Sequence, residues 1–327
     1  MTAVGGPYYE DLPVGRRFAD APAVTLSDGL AAAHAAIVGG RFAMARDREL
    51  ALRVAGRALA APALAWDVAI GQSTVVTERG IANLFYRGLL FHRLPAIGDT
   101  LKTVTTITGR RPSTPRPDRG PRGLVTMRIV TVDQEGRLVL DFHRCALIPA
   151  RQTLSGGAEG EPEPPDTAIT AAAVTPAVAG WNLAPFRAAF AEAGAALEAG
   201  ATYELAGGDV VSSAPELARL TLNLAAIHHD ATGTGARLVY GGHTIGIAAA
   251  HISRIFPRTA AILAWDKADH LGPVNEGDTL HSTVAIETAT PHGEATLAGL
   301  RTRVTATAGR DQPLRDVLDW RLTALIA

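Results

Sequence analysis

The sequence predicts an α+β fold that occurs twice in one chain, each copy packing helices on one face of an antiparallel sheet. Three observations carry this reading. Short motifs recur in the same order at slowly drifting spacings. A stretch without apolar periodicity separates the two sets. Each side of that stretch shows the same run of short strand, helix, helix and closing strands. A length of 327 residues, at roughly 150 per domain, agrees with two units.

The repeat is read from the spacing. Gly98-Asp99-Thr100-Leu101 recurs as Gly277-Asp278-Thr279-Leu280, 179 residues on, and Val139-Leu140-Asp141-Phe142 as Val317-Leu318-Asp319-Trp320, 178 residues on. Leu12 to Phe18 matches Leu197 to Tyr203 at an offset of 185, and Ala35-Ala36-Ile37 matches Ala225-Ala226-Ile227 at 190. Matches in one order with such a drift mark an internal duplication. The predicted units are residues 1–149 and 181–327, joined by a Pro/Gly/acidic linker over 150–180.

Within the first unit, a short strand leads to an apolar helix around Leu30 to Val38, then to a helical stretch from Ala63 to Val76. Strands follow over Thr100 to Gly109, Leu124 to Asp133 and Arg137 to Ile148. Their β-branched residues and partial alternation fit antiparallel strands with one buried face. The second unit repeats the helices over Glu216 to Ile227 and Thr244 to Ile255. Arg110 to Gly123 holds five arginines and several prolines, which forbid a central strand; it reads as a solvated hairpin loop, although its arginines could clamp a phosphate.

Composition removes several function classes. A formal charge of −1 and a pI near 6.8 argue against a nucleic-acid binder that relies on bulk positive charge. With 47 % hydrophobic and 19 % charged residues, wholesale disorder is excluded. Cys145 stands alone, so no internal disulfide and no thiolate cluster for a structural zinc can form. The opening residues lack the basic-then-apolar pattern of a signal peptide, and the apolar run from Ala58 to Ile70 is broken by Pro62 and Asp67. A cytoplasmic protein without a membrane or nucleic-acid partner is expected.

The duplication also shows where chemistry could sit. Where the first unit reads Ala33-His34-Ala35-Ala36-Ile37-Val38, the second reads Asn223-Leu224-Ala225-Ala226-Ile227-His228, with polar groups in place of Ala33 and Val38. Residues five apart diverge by about 140° on a helix, so Asn223 and His228 can face one point only if the helix ends near Ile227. The glycines of Gly233-Thr234-Gly235 fit such an ending. A polar helix end with two solvated histidines would give the same pattern. A zinc site from His228, His229 and Asp230 is disfavoured because adjacent side chains point apart. Further on, Tyr240-Gly241-Gly242-His243 leads into a helix. Glycines there let backbone N–H groups at the positive end of the helix dipole approach a ligand, as an oxyanion hole requires.

These residues resemble the MaoC-like dehydratases, the (R)-specific enoyl-CoA hydratase family, in its two-copy "double hotdog" form, where an antiparallel sheet wraps a central helix in each half. The family's hydratase motif is approximately Asp-x-Asn-Pro-(apolar)-His. Here His228 keeps the His position, Asn223 stands at the Asp position, and Ala225-Ala226 replace Asn-Pro. Asn before His, Tyr-Gly-Gly-His after it, and Ile81-Ala82-Asn83-Leu84-Phe85-Tyr86 in the first half are similar to mesaconyl-CoA (2-methylfumaryl-CoA) hydratases.

The resemblance implies reversible water addition to a 2-enoyl-CoA thioester, with no metal and no redox cofactor, CoA being part of the substrate. Asn223 and His228 are the implied catalytic residues, the former orienting water and the latter exchanging protons. Gly242 would hold the thioester oxygen, with Gly241, Tyr240, His243, Asn83 and Tyr86 lining the substrate site. His270 lies seven residues before Gly277, as Phe91 does before Gly98, where the family is usually apolar; if it faces the pocket, it suggests a polar or carboxylated acyl group. The first half would shape the acyl pocket without chemistry of its own. A homodimer, a hotdog thioesterase and a non-catalytic acyl-CoA binder with a decayed site stay open.

Overall fold

A computed structural model of the chain describes residues 5–115, 119–164, 168–191, 194–230 and 237–327. The first half contains β1 (Arg17–Phe18), β2 (Val24–Thr25), α1 (Asp28–Val38), α2 (Ala43–Arg46), α3 (Arg48–Ala55) and α4 (Pro62–Gln72). It closes with β3 (Ala82–Phe91), β4 (Thr100–Pro112), β5 (Arg122–Val132) and β6 (Leu138–Pro149). After β7 (Glu159–Gly160) and α5 (Ala171–Val174), the second half repeats the order. It has α6 (Ala184–Ala189), β8 (Thr202–Glu204), β9 (Asp209–Val210), α7 (Ala214–Leu220) and α8 (Gly241–Ile255). Then come β10 (Thr259–His270), β11 (Thr279–His292), β12 (Ala295–Thr307) and β13 (Arg315–Ile326).

The strands form one antiparallel sheet in the order β1-β4-β5-β6-β3-β10-β13-β12-β11-β8. The halves therefore join edge to edge through β3 and β10, where Trp265 pairs with Leu89 and Ala268 with Tyr86. Joining these strands removes two sheet edges that would otherwise template association. Inside the sheet lie α4, with every residue buried, and α8, with nearly all buried. Trp66 of α4 meets Trp265 and Trp320 edge to face, with ring centroids 4.7 and 6.1 Å away, so the helix of one half packs on the sheet of the other.

The recurring Gly-Asp-Thr-Leu motif has a structural cause. Its aspartate is buried and closes the turn before the strand: Asp99 Oδ2 accepts from the Ala96 N–H (2.8 Å), and Asp278 Oδ2 from the Asn275 N–H (2.9 Å). Phe18 pairs with Thr105 as Tyr203 pairs with Val284, which bears out the 185 and 179 offsets. The 190 match does not mark equivalent positions. Leu222 (φ 61°) does the work of Gly39 (φ 70°) as the left-handed residue after its helix. The next N–H reaches back five residues in both halves, Gly40 to Ala35 and Asn223 to Ala218. The offset there is 222 − 39 = 183, so Asn223 corresponds to Gly40 and His228 to Ala45, rather than to Ala33 and Val38.

Three further expectations change. The helix expected over Glu216 to Ile227 stops at Leu220, and a separate 3-10 turn covers Ala226–His228. The segments α2 and α3 are helices, with Asp47 capping α3 by accepting from the Leu50 N–H (2.9 Å). The residues between the halves are also structured in part: β7 pairs with the edge strand β4, and the Ile169 N–H donates to Asp266 (2.7 Å). Gly233-Thr234-Gly235 and part of the Arg110 to Gly123 segment lie outside the described residues.

Candidate active site

The chain after α7 is placed by the first half. A Cβ on Gly71 of α4 would lie 1.7 Å from the Thr221 carbonyl oxygen, so only glycine lets the two backbones meet. Just beyond α4, Thr74 accepts at Oγ1 from the Leu224 N–H (2.8 Å), and the Glu78 carbonyl accepts from the Ala226 N–H (2.9 Å). These contacts fix the turn that carries Asn223 and His228.

Both residues line a cavity of about 280 Å³ between the halves. The second half contributes Asn223, His228, Tyr240, Gly241, Thr244 and His270, and the first half Thr77, Asn83, Tyr86 and Arg144. The helix break foreseen near Ile227 thus occurs earlier, and it does bring Asn223 and His228 to one space.

His228 is held in one tautomer. Its Nδ1 lies 2.7 Å from the Leu238 carbonyl oxygen, which can only accept, so Nδ1 carries the hydrogen and Nε2 has a lone pair. Part of the ring remains open to the cavity, yet the atoms packed around it lower its pKa to about 4 by desolvation, assisted by the charges of His229 and Arg144. It is neutral and able to accept a proton at pH 7. Asn223 is buried, and its Oδ1 accepts from the Ala225 N–H (3.0 Å). That bond assigns the amide NH₂ to the remaining contacts, a donor and never a base.

At the start of α8 the two glycines have different surroundings. Gly241 lines the cavity, and a Cβ there would come 2.4 Å from His270 Nε2. Gly242 does not line it; a Cβ there would strike Asp67 Oδ1 at 2.2 Å and the Tyr240 hydroxyl at 2.4 Å. First-turn N–H groups of a helix have no intrahelical acceptor, which leaves those of Gly241 and Gly242 for other partners. His243 is fully buried, is absent from the cavity wall, and has neither ring nitrogen partnered among the described residues. Packing at the start of α8 sequesters it, and burial lowers its pKa to about 4.

His270 lines the cavity, its ring 5.7 Å from that of Tyr86, with Nε2 unpartnered among the described residues. Burial lowers its pKa to about 4 as well. Asn83 also lines the cavity, and neither side-chain polar atom has a partner among the described residues.

Two groups were not anticipated. Asp67, in the middle of α4, accepts from His34 Nε2 (2.8 Å) and from the Tyr240 hydroxyl (3.0 Å). Burial raises its pKa, and these two hydrogen bonds oppose the shift. A lone aspartate in an otherwise apolar helix was the available signal. The other is Arg144, 3 % exposed on β6. Phe142, Arg144, Ala146 and Ile148 share one buried register, so strict alternation would have pointed Arg144 inward.

A family model described as mesaconyl-CoA hydratase matches residues 62–326. The chain is 28 % identical to the beta-methylmalyl-CoA dehydratase of Chloroflexus aurantiacus, covering 98 % of this chain and 97 % of that protein. It is 26 % identical to the mesaconyl-CoA hydratase of Cereibacter sphaeroides, covering 96 % and 92 %. Among solved structures, a conserved Mycobacterium tuberculosis protein described as a double hotdog is 50 % identical, with a TM-score of 0.88 over 98 % of both chains. A MaoC domain dehydratase from Chloroflexus aurantiacus matches with a TM-score of 0.83 at 25 % identity, covering 98 % and 97 %. The match over most of its length shows that the chain belongs to the mesaconyl-CoA hydratase family, with the MaoC-like double hotdog fold.

Proposed function

We propose that the protein is a hydratase/dehydratase of 2-enoyl-CoA thioesters, acting in the cavity between its halves. The observation that carries this is His228: a neutral imidazole with Nδ1 tied to a carbonyl and Nε2 left as a base on the cavity wall. The family and the activities named for its relatives agree with it.

In hydration, Nε2 of His228 takes a proton from water as the water oxygen bonds to the β-carbon. The electron pair of the double bond moves toward the thioester, whose oxygen gains enolate-like charge. The first-turn N–H of Gly241, the α8 glycine on the cavity wall, stabilises that charge. The imidazolium then returns its proton to the α-carbon, so one water is added and His228 is regenerated. The Asn223 amide orients the water or the acyl group as a donor. The chemistry is acid–base throughout, and CoA enters as part of the substrate.

Loss of the conjugated-thioester absorbance of mesaconyl-CoA, followed with wild type and His228→Ala, tests the reading. Turnover by wild type and its abolition in the variant are expected. Release of free CoA thiol would instead identify a thioesterase. Tight binding without turnover, unaffected by His228→Ala, would identify an acyl-CoA binder.

A further inference from the structure

Arg144 presents a charge that the fold does not neutralise. Its side chain is 3 % exposed and lines the cavity, yet among the described residues no carboxylate lies within ion-pairing distance of its guanidinium. One NH₂ donates to Thr77 Oγ1, and Nε has no partner. A buried guanidinium without a counter-charge is costly, and a planar fork that still has a donor to spare matches a carboxylate. Its neighbours on the wall are neutral: Tyr86, directly opposite in the β3–β6 pairing, then Tyr240 and His228.

The other half shows that the scaffold does not need this cation. Tyr86 pairs with Arg144 as Trp265 pairs with Leu322, so the equivalent position holds a buried leucine. Nothing in the repeated architecture requires an arginine there.

We propose that Arg144 is a specificity-determining residue, the group that binds a carboxylate at the far end of the acyl chain and so selects acidic over neutral acyl thioesters. Two anions on such a substrate could meet an arginine: the acyl carboxylate and the phosphates of CoA. Arg144 shares its cavity with His228, at the reacting end, whereas the phosphates are separated from the thioester by the whole pantetheine arm. In mesaconyl-CoA the carboxylate sits on the β-carbon itself, so gripping it would also place the carbon that water attacks. His270 and Asn83, with unpartnered polar atoms on the same wall, can complete the carboxylate's hydrogen bonds.

This inference rests on the proposed hydratase reading for its substrate class, but binding tests it without any turnover. Calorimetry of the whole chain would compare methylsuccinyl-CoA with 2-methylbutyryl-CoA, saturated thioesters that differ in carboxylate against methyl and share CoA. Wild type should bind the dicarboxylic thioester about 100-fold more tightly, and Arg144→Met should bring the two within about threefold. Arg144→Lys, which keeps charge but loses the fork, should lower the preference about tenfold, and it decides the matter if the methionine variant does not fold. A wild type indifferent to the carboxylate would overturn the proposal, as would either folded variant with an unchanged preference. A preference lost with Arg144 in a protein that hydrates nothing would uphold the carboxylate subsite while refuting the hydratase reading.

Discussion

Two of the molecule's cavities lie in equivalent places, and they differ in chemistry at the positions that correspond across the repeat. The second, of about 180 Å³, lies under α1 and is lined by Gly40, Ala45 and Ala61, among others. The isolated bridges Leu59 to Ala96 and Leu238 to Asn275 give an offset of 238 − 59 = 275 − 96 = 179, which equates Ala61 with Tyr240. With the 183 offset at the helix ends, Gly40 stands for Asn223 and Ala45 for His228. The scaffold is repeated, while at these three equivalent positions the donor, the imidazole and the hydroxyl occur on one side only. The two halves share the shell, and a few side chains distinguish the two cavities.

The two cavities are also wired together. His34 lines the second cavity, Tyr240 the first, and both bond to Asp67 between them. The first half is therefore a supporting structure for the site, through Gly71, Thr74 and Asp67, as well as part of its wall.

The largest asymmetry should appear on removing the base. His228→Ala should lower hydration by about 10³-fold, in the range for loss of a positioned acid–base group, with the circular dichroism spectrum unchanged. Filling the second cavity with Ala45→Phe should leave the rate within about threefold. Gly71→Ala comes next. Its equivalent in α8 is Ala250, which tolerates its Cβ, 3.8 Å from the position a Cβ would take on Gly39. At Gly71 the clash with Thr221 should displace the Asn223 turn, lowering kcat at least tenfold and the Tm by several degrees, whereas Ala250→Gly should cost about 1 kcal/mol in chemical denaturation.

The pH dependence should reflect the same buried groups. His228, His243 and His270 have native pKa values near 4, below the unfolded value of about 6.5. The unfolded chain then binds more protons between those values. Their contribution to stability is complete above pH 6.5 and is lost as pH falls toward 4. Urea midpoints should drop over that window, with a smaller drop in His243→Phe. The hydration rate should stay level from pH 6 to 8 and fall as His228 protonates near pH 4. The smallest effect is expected from Asn223→Asp. A carboxylate can still accept the Ala225 N–H and can hold the water as an acceptor in place of the lost amide donor, so activity should change by only a few fold.

The sequence made the duplication legible because its markers are local: Asp99 and Asp278 close turns within three residues, and such requirements persist in both copies. The same locality exposed Asn223 and His228 as polar departures from an apolar pattern. Their correct counterparts were hidden, because the register slips between the two helix ends and only backbone conformation reveals where. The edge-to-edge junction of β3 with β10 was also illegible, since its pairing spans more than 170 residues. Arg144 and Asp67 were legible only as wrong-polarity residues in buried elements. Their meaning depends on which neighbours are absent or opposite, Tyr240 in one case and any carboxylate in the other.

One measurement bears most directly on the claim that a single cavity works. The stoichiometry of methylsuccinyl-CoA binding should be one per chain in wild type, unchanged in Ala45→Phe, with the same affinity in both. Two sites per chain, or a site lost on filling the second cavity, would contradict it.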